Sequence, residues 1–247
     1  MNSGLYAAAT ALVSRTDALD AVANNLANQS TPGFRARHST FRATLAQHGN
    51  PNLSMLNEDA NDYGVLGGTR LDTTQGSLTK TGNPLDIAIE GQGYFQVQTA
   101  QGTVYTRAGN FSVSAQGQLV TANGDPVLGE GGAPISIVGQ PVSISSDGTI
   151  SVNGATAGKL GVVDFPANVD LESMGNNYLK APANTTPAAT TATLRQGMIE
   201  GSNVNPISGV VELIDAQRSV EEMRRMLSLF SNEMDKTASQ DLPHVGQ

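Results

Sequence analysis

Both ends of the chain carry seven-residue apolar repeats, and a helix with one apolar stripe is not stable alone in water. Near the N-terminus Leu5, Leu12, Leu19 and Leu26 recur at that step, with Val22 on the adjoining ridge. Far along the sequence Leu213, Val220, Leu227 and Met234 repeat it, and Ala216, Met223 and Phe230 fall between them at the complementary spacing. This is an a/d seam over about three heptads. Each helix has to bury its stripe against another helix. The simplest partner of each terminus is the other terminus, followed by copies in neighbouring subunits, and Leu5, Leu12, Leu19, Val22, Leu26, Leu213, Val220, Met223, Leu227 and Phe230 are expected at the subunit interface. Ala7, Ala8, Ala9, Ala11, Ala18, Ala21 and Ala23 on the first helix allow a close approach. A chain with coiled-coil ends and a different middle reads as a component of an assembly.

The middle has β texture. Leu85, Ile87 and Ile89 alternate with polar or small residues, as do Phe95 and Val97, Phe111 and Val113, Ile135 and Ile137, Val142 and Ile144, and Ile150 and Val152. Turn signals separate these runs: Gln101-Gly102, Gly109-Asn110, Gln116-Gly117, Asn123-Gly124, Asp147-Gly148 and Asn153-Gly154. Short, regularly spaced strands of this kind predict an antiparallel sandwich or small barrel-like domain. Pro32 and Gly33 end the first helix near Asn28, and Asn205-Pro206 opens the last one, which fades near Asp241. The uncharged run Ala181 to Thr193 reads as a linker or arm, with a last strand at Leu194 to Ile199.

The expected fold is α+β. Terminal α-helices, residues 1–34 and 203–247, pair as a coiled coil. An antiparallel β-rich domain, 76–180, is inserted between them. Extended connectors occupy 35–75 and 181–202.

Composition excludes several functions. The net charge of −8 argues against nucleic acid, which requires a basic surface. With no Cys there are no disulfides, no thiol chemistry and no Cys-based metal site. With no Trp and 4% aromatic residues, no stacking platform is expected. No apolar stretch reaches the ~18 residues of a membrane span. The N-terminus lacks a basic region followed by an apolar one, so no cleaved signal peptide is expected.

The inventory of catalytic groups is also thin. His38, His48 and His244 lie apart, none with a second His at ligand spacing. Glu58, Asp59 and Asp62 form an acidic loop without the pattern of a calcium site. Gly91-Gln92-Gly93 lacks the third Gly of a dinucleotide fingerprint and precedes a strand. Asp86 and Glu90, at even spacing, are expected on the solvent side of a sheet rather than as an acid pair. No cofactor, metal or catalytic residue is expected.

Three groups of residues carry a resemblance. Ala23-Asn24-Asn25-Leu26-Ala27-Asn28 is followed by Thr31-Pro32-Gly33-Phe34. Gly201-Ser202-Asn203-Val204-Asn205 leads into a helix with Ala216-Gln217-Arg218. Between them lie the run Tyr105 to Phe111, Gly117 to Val120, Pro126 to Gly129 and Asp147 to Ile150. In this order and over nearly the full length, the chain resembles the flagellar axial proteins of rod and hook. The length excludes a full hook protein, and the Glu200 to Val204 run with Pro206 leans toward the proximal-rod type over the distal-rod type. The resemblance implies a tubular drive shaft in the basal body that transmits torque and encloses the export channel, with terminal helices innermost. It implies as partners copies of the chain, other rod proteins and the export apparatus. Asn24, Asn25 and Asn28 would bond across subunits or cap the helix locally, and Gly33 and Phe34 would redirect the chain. A secreted β-rich enzyme or adhesin is the alternative.

Overall fold

A computed structural model describes residues 2–43, 64–166, 169–183 and 185–241. The acidic loop Glu58/Asp59/Asp62, His48 and His244 lie outside them. The chain divides into two compact units. One holds residues 1–26, 37–70 and 206–247; the other holds 27–36 and 71–205.

In the first unit, α1 spans Asn2–Ala27 and α2 spans Pro206–Asp241. Both limits follow from local chemistry. Thr31-Pro32-Gly33 cannot continue a helix, and Pro206 takes the first helical position, where a missing N–H costs nothing. Between them in this unit, β1 (Arg37–Ala43) and β2 (Gly64–Leu71) form a two-stranded ribbon. No described helix is long and apolar enough to cross a membrane.

The second unit is a β body in which every strand pair is antiparallel among the described residues. Its first strands are β3 (Leu78–Lys80), β4 (Ile87–Glu90), β5 (Tyr94–Thr99) and β6 (Gly102–Thr106). The hairpin of β7 (Ser112–Val113) and β8 (Leu119–Val120) follows. Then come β9 (Val142–Ile144), β10 (Thr149–Val152) and β11 (Ala155–Lys159), which form a three-stranded sheet. The last group is β12 (Val162–Asp164), β13 (Glu172–Gly175), β14 (Tyr178–Lys180), β15 (Ala188–Ala189), β16 (Thr193–Gln196) and β17 (Met198–Glu200). The largest sheet runs β13-β14-β6-β5-β12-β15.

The alternating residues of the sequence line the core. Ile87, Ile89, Phe95, Phe111, Leu119, Val127, Ile135, Ile137, Ile144, Ile150, Val152, Leu160 and Leu194 form one buried cluster. Phe95 meets Phe111 edge-on at 5.0 Å. A smaller cluster centres on Phe165, whose ring lies 4.7 Å from that of Tyr105.

Two expectations differ from this structure. Residues 181–202 are not a free connector. β15 pairs with β12, β16 pairs with β4 along its whole length, and β17 pairs with β3. β16 and β17 find their partners at Ile87–Glu90 and Leu78–Lys80, far upstream, and β15 finds Val162–Asp164 nearer by, so no local pattern announces these pairings. Asp86 also does not face solvent. It is buried, bridges Asn110, and accepts a 3.0 Å hydrogen bond from Asn83 Nδ2. Glu90 does face outward and pairs with Arg195 at 2.7 Å, which holds its carboxyl below the usual carboxylate range.

Candidate functional site: the junction of the two chain ends

The segment that leaves α1 and the segment that enters α2 meet inside the β body. Gly33 N–H donates to the carbonyl of Glu200 over 2.8 Å, so the N-terminal exit runs against the end of β17. Asn203 ties three strands of chain together. Its Oδ1 accepts from Ala36 N–H at 2.7 Å, and its Nδ2 reaches the carbonyls of Asp72 and Thr74 at 3.2 Å. Asn177 Nδ2 donates to the Pro32 carbonyl at 2.9 Å. Gly201 N–H donates to the Ser77 carbonyl at 2.8 Å, and Ser202 Oγ accepts from Val204 N–H.

Beneath these bonds lies a buried charge cluster. Glu200 is 1% exposed, with Arg35 and Arg107 almost as deep. Glu200 Oε1 lies 2.8 Å from Arg35 Nη2 and accepts from Gly76 N–H at 2.9 Å. Glu200 Oε2 accepts from Arg107 Nη1 at 3.0 Å. Two guanidiniums thus share one carboxylate. Backbone carbonyls carry the rest: Arg107 also donates to Ile89 and Gly91, and Arg35 donates to Thr74. The Tyr94 ring lies 5.5 Å from the Arg107 guanidinium carbon, within cation–π range. Burial lowers the Arg107 guanidinium below its ordinary value, against the pull of Glu200. Among the described residues, Nε of both arginines lacks a hydrogen-bond acceptor. The cluster therefore depends strongly on its single carboxylate.

Gly33 is required for this packing. Its φ of +67° is left-handed, and a Cβ there would lie 2.3 Å from the Ala108 nitrogen. Gly33→Ala is expected to cost about 2–5 kcal/mol from strain and overpacking together. Calorimetry of the purified chain checks this; an unchanged midpoint would show that the exit segment is not seated as described.

The structure sorts the motif residues into two groups. Gly33, Phe34, Gly201, Ser202, Asn203 and Val204 belong to the junction, where Phe34 is buried. Asn28 Oδ1 accepts from Thr31 Oγ at 3.1 Å, closing the turn after α1. Asn25 belongs to the first unit, where its amide exchanges two hydrogen bonds with the Arg37 backbone at 2.8 and 2.9 Å. Asn24, Asn205, Gln217 and Arg218 are exposed and lie outside the junction.

On the helices, Leu12, Leu19, Val22, Leu26, Leu213, Met223 and Leu227 are half-buried, and Val220 is buried at 4%. The side chains of Leu5 and Phe230 lie outside the described residues. Sequence reasoning missed Arg35, Arg107 and Glu200 as a unit. The available signal was that each is a charged residue inside or beside a motif run, where a solvent-facing residue would not be expected to recur with Gly and Phe.

The junction's one carboxylate is taken up by two guanidiniums and the Gly76 N–H and is sealed from solvent, so it offers no free acid or base to a substrate. An open surface pocket of about 440 Å³, lined by residues including Pro84, Leu85, Val113, Ile137 and Pro141, contains no titratable side chain.

Comparison with known proteins identifies the same regions. Residues 5–35 match the family described as flagella basal body rod protein. Residues 88–152 match the flagellar hook protein FlgE/F/G D1 domain, and 195–241 the flagellar basal body rod FlgEFG protein C-terminal region. The rod protein FlgF of Mesorhizobium japonicum is 34% identical, over 96% of both chains. FlgF of Caulobacter vibrioides is 35% identical over 92% of this chain and 93% of the relative. FlgG of Agrobacterium fabrum is 33% identical over 96% of this chain and 98% of the relative. With its two end motifs joined in one buried junction and relatives matched end to end, the chain belongs to the flagellar basal-body rod protein family, as a structural component of the basal body and not an enzyme.

Proposed function

We propose that the chain polymerises through its terminal helices into a segment of a tubular rod that transmits torque and surrounds an export channel. The observation that carries this is the junction. Inside the β body it bonds the segment that follows α1 to the segment that precedes α2, so both ends of the chain connect to the same buried cluster. Within the first unit α1 and α2 form an antiparallel pair through Leu12, Leu19, Leu26, Leu213, Val220 and Leu227. The regular shielding of these positions supports that pairing. Contacts that repeat without closing on themselves then build a filament. Partners are further copies, other rod proteins and the export apparatus.

A proximal, FlgF-like position is supported by length. The Agrobacterium FlgG alignment needs 259 positions to cover the share of this chain that the Mesorhizobium FlgF alignment covers in 241. The relatives give no support to a secreted enzyme or adhesin.

Basal bodies isolated from the parent bacterium are expected to contain the chain, and its deletion to leave them without hook and filament. Absence from the basal body would overturn the reading.

A further inference from the structure

An Asn or Asp followed by Gly can close a cyclic imide on itself, because glycine has no Cβ to hinder its own nitrogen. The chain carries three such bonds, Asn123-Gly124, Asp147-Gly148 and Asn153-Gly154. All three lie at turns of the β body, with the Asn or Asp exposed. Two of them are locked. Gly124 N–H donates to the Thr121 carbonyl at 2.9 Å, and the Asn123 amide hydrogen-bonds the Tyr178 hydroxyl. Gly148 N–H donates to the Ser145 carbonyl at 3.0 Å. Asp147 accepts from Thr149 N–H and Oγ, which holds its carboxyl below the usual carboxylate range, and an ionised carboxylate is a poor electrophile. The third bond differs. Among the described residues Gly154 N–H donates to no carbonyl. The hairpin it caps is also weakly held. β11 is the outer strand of its sheet, Ala155, Thr156 and Ala157 are exposed, and its pairing with β10 shifts register between Ile150 and Ser151.

We infer that Asn153 is a site of spontaneous deamidation, converted to aspartate and isoaspartate while Asn123 is spared. When the hairpin tip opens, the Gly154 nitrogen attacks Asn153 Cγ. A new N–Cγ bond forms and the bond from Cγ to the side-chain nitrogen breaks. The Gly154 proton passes through water to that nitrogen, which leaves as ammonia. A water molecule then adds to either carbonyl of the imide and opens it to aspartate or isoaspartate. Both products change the body locally. Isoaspartate adds a methylene to the main chain inside a two-residue turn, which then no longer fits the Val152–Ala155 closing pair. Aspartate brings a charge beside Gly139, where a Cβ would lie 2.8 Å from the Asn153 side-chain nitrogen. Gly139 lines the uncharged surface pocket. A structural subunit stays in place after assembly, so slow chemistry of this kind accumulates in it.

The purified full chain, held folded at mildly alkaline pH, should convert Asn153 at least about fivefold faster than Asn123, the margin of one extra hydrogen bond. Peptide mapping by mass spectrometry reads the acid at each position. An isoaspartyl methyltransferase with a labelled methyl donor reads the isoaspartate. In denaturant, where neither glycine N–H is held, the two bonds should convert at the same rate. Asn153→Gly removes the reacting amide and leaves a Gly-Gly pair, which suits the same turn. That variant should keep the parent's thermal midpoint and lose the methyl acceptor. Three results overturn the inference: Asn123 converting as fast as Asn153 in the folded chain, Asn153 converting only in denaturant, or a methyl acceptor that persists undiminished in Asn153→Gly.

Discussion

Glu200→Ala is expected to lower stability by about 3–5 kcal/mol, the usual cost of removing one partner from a buried ion pair. The effect should sit at the upper end, because the loss leaves two guanidiniums facing each other in a site sealed from water. Arg107 is already depressed by burial, and the carboxylate opposes that. For a protein of this size each kcal/mol moves the thermal midpoint by roughly 2–4 °C, so calorimetry should record a fall of about 6–20 °C. A control separates charge from packing. Arg35→Met and Arg107→Met combined with Glu200→Leu removes every charge while keeping volume, and substitutions of this kind are often neutral or stabilising by about 1–4 kcal/mol. That triple variant should recover most of the lost stability. If Glu200→Ala costs less than about 1 kcal/mol, water reaches the cluster and the junction is not the rigid seat described.

Local features of the fold were legible in the sequence. Asn153-Gly154 forms the turn between β10 and β11 with φ of 52° and 82°, as an Asn-Gly pair should in a tight hairpin. Asp147-Gly148 joins β9 to β10, and α1 and α2 stop and start at the Pro and Gly signals. The alternation at Ile87 and Ile89 marked the core because a strand's period shows directly in its residues. What sequence reasoning missed is non-local. A strand was expected at Leu194 to Ile199, where β16 and β17 lie, but nothing in the sequence pointed to their partners β4 and β3 far upstream. Glu200 was read only as the start of a motif run, because burial of a charge is decided by what packs over it. Asp86 was misplaced for the same reason: even spacing gives the face of a strand but not what covers that face. Among the motif residues, Gly33 and Asn203 gained a physical role only when both chain ends were seen in contact.

Val220→Asp should have the larger effect on assembly. Val220 is the most buried described seam residue of α2, beside shielded Ala216 and Met223, and an aspartate there would have to leave the seam to reach exposed Arg224 one turn on. Burying an unpaired carboxylate costs several kcal/mol, more than a helix of this length can offset from its own backbone bonds. The helix pair should therefore open while the β body, which has its own core around Phe95 and Ile150, keeps its fold. Limited proteolysis of the purified variant should remove both helices quickly and leave the β body, residues 27–36 and 71–205, resistant. Basal bodies should contain none of the variant. If Val220→Asp enters basal bodies normally with protected ends, the proposed pairing of α1 and α2 is wrong, and the seven-residue repeats at the two termini have some other partner.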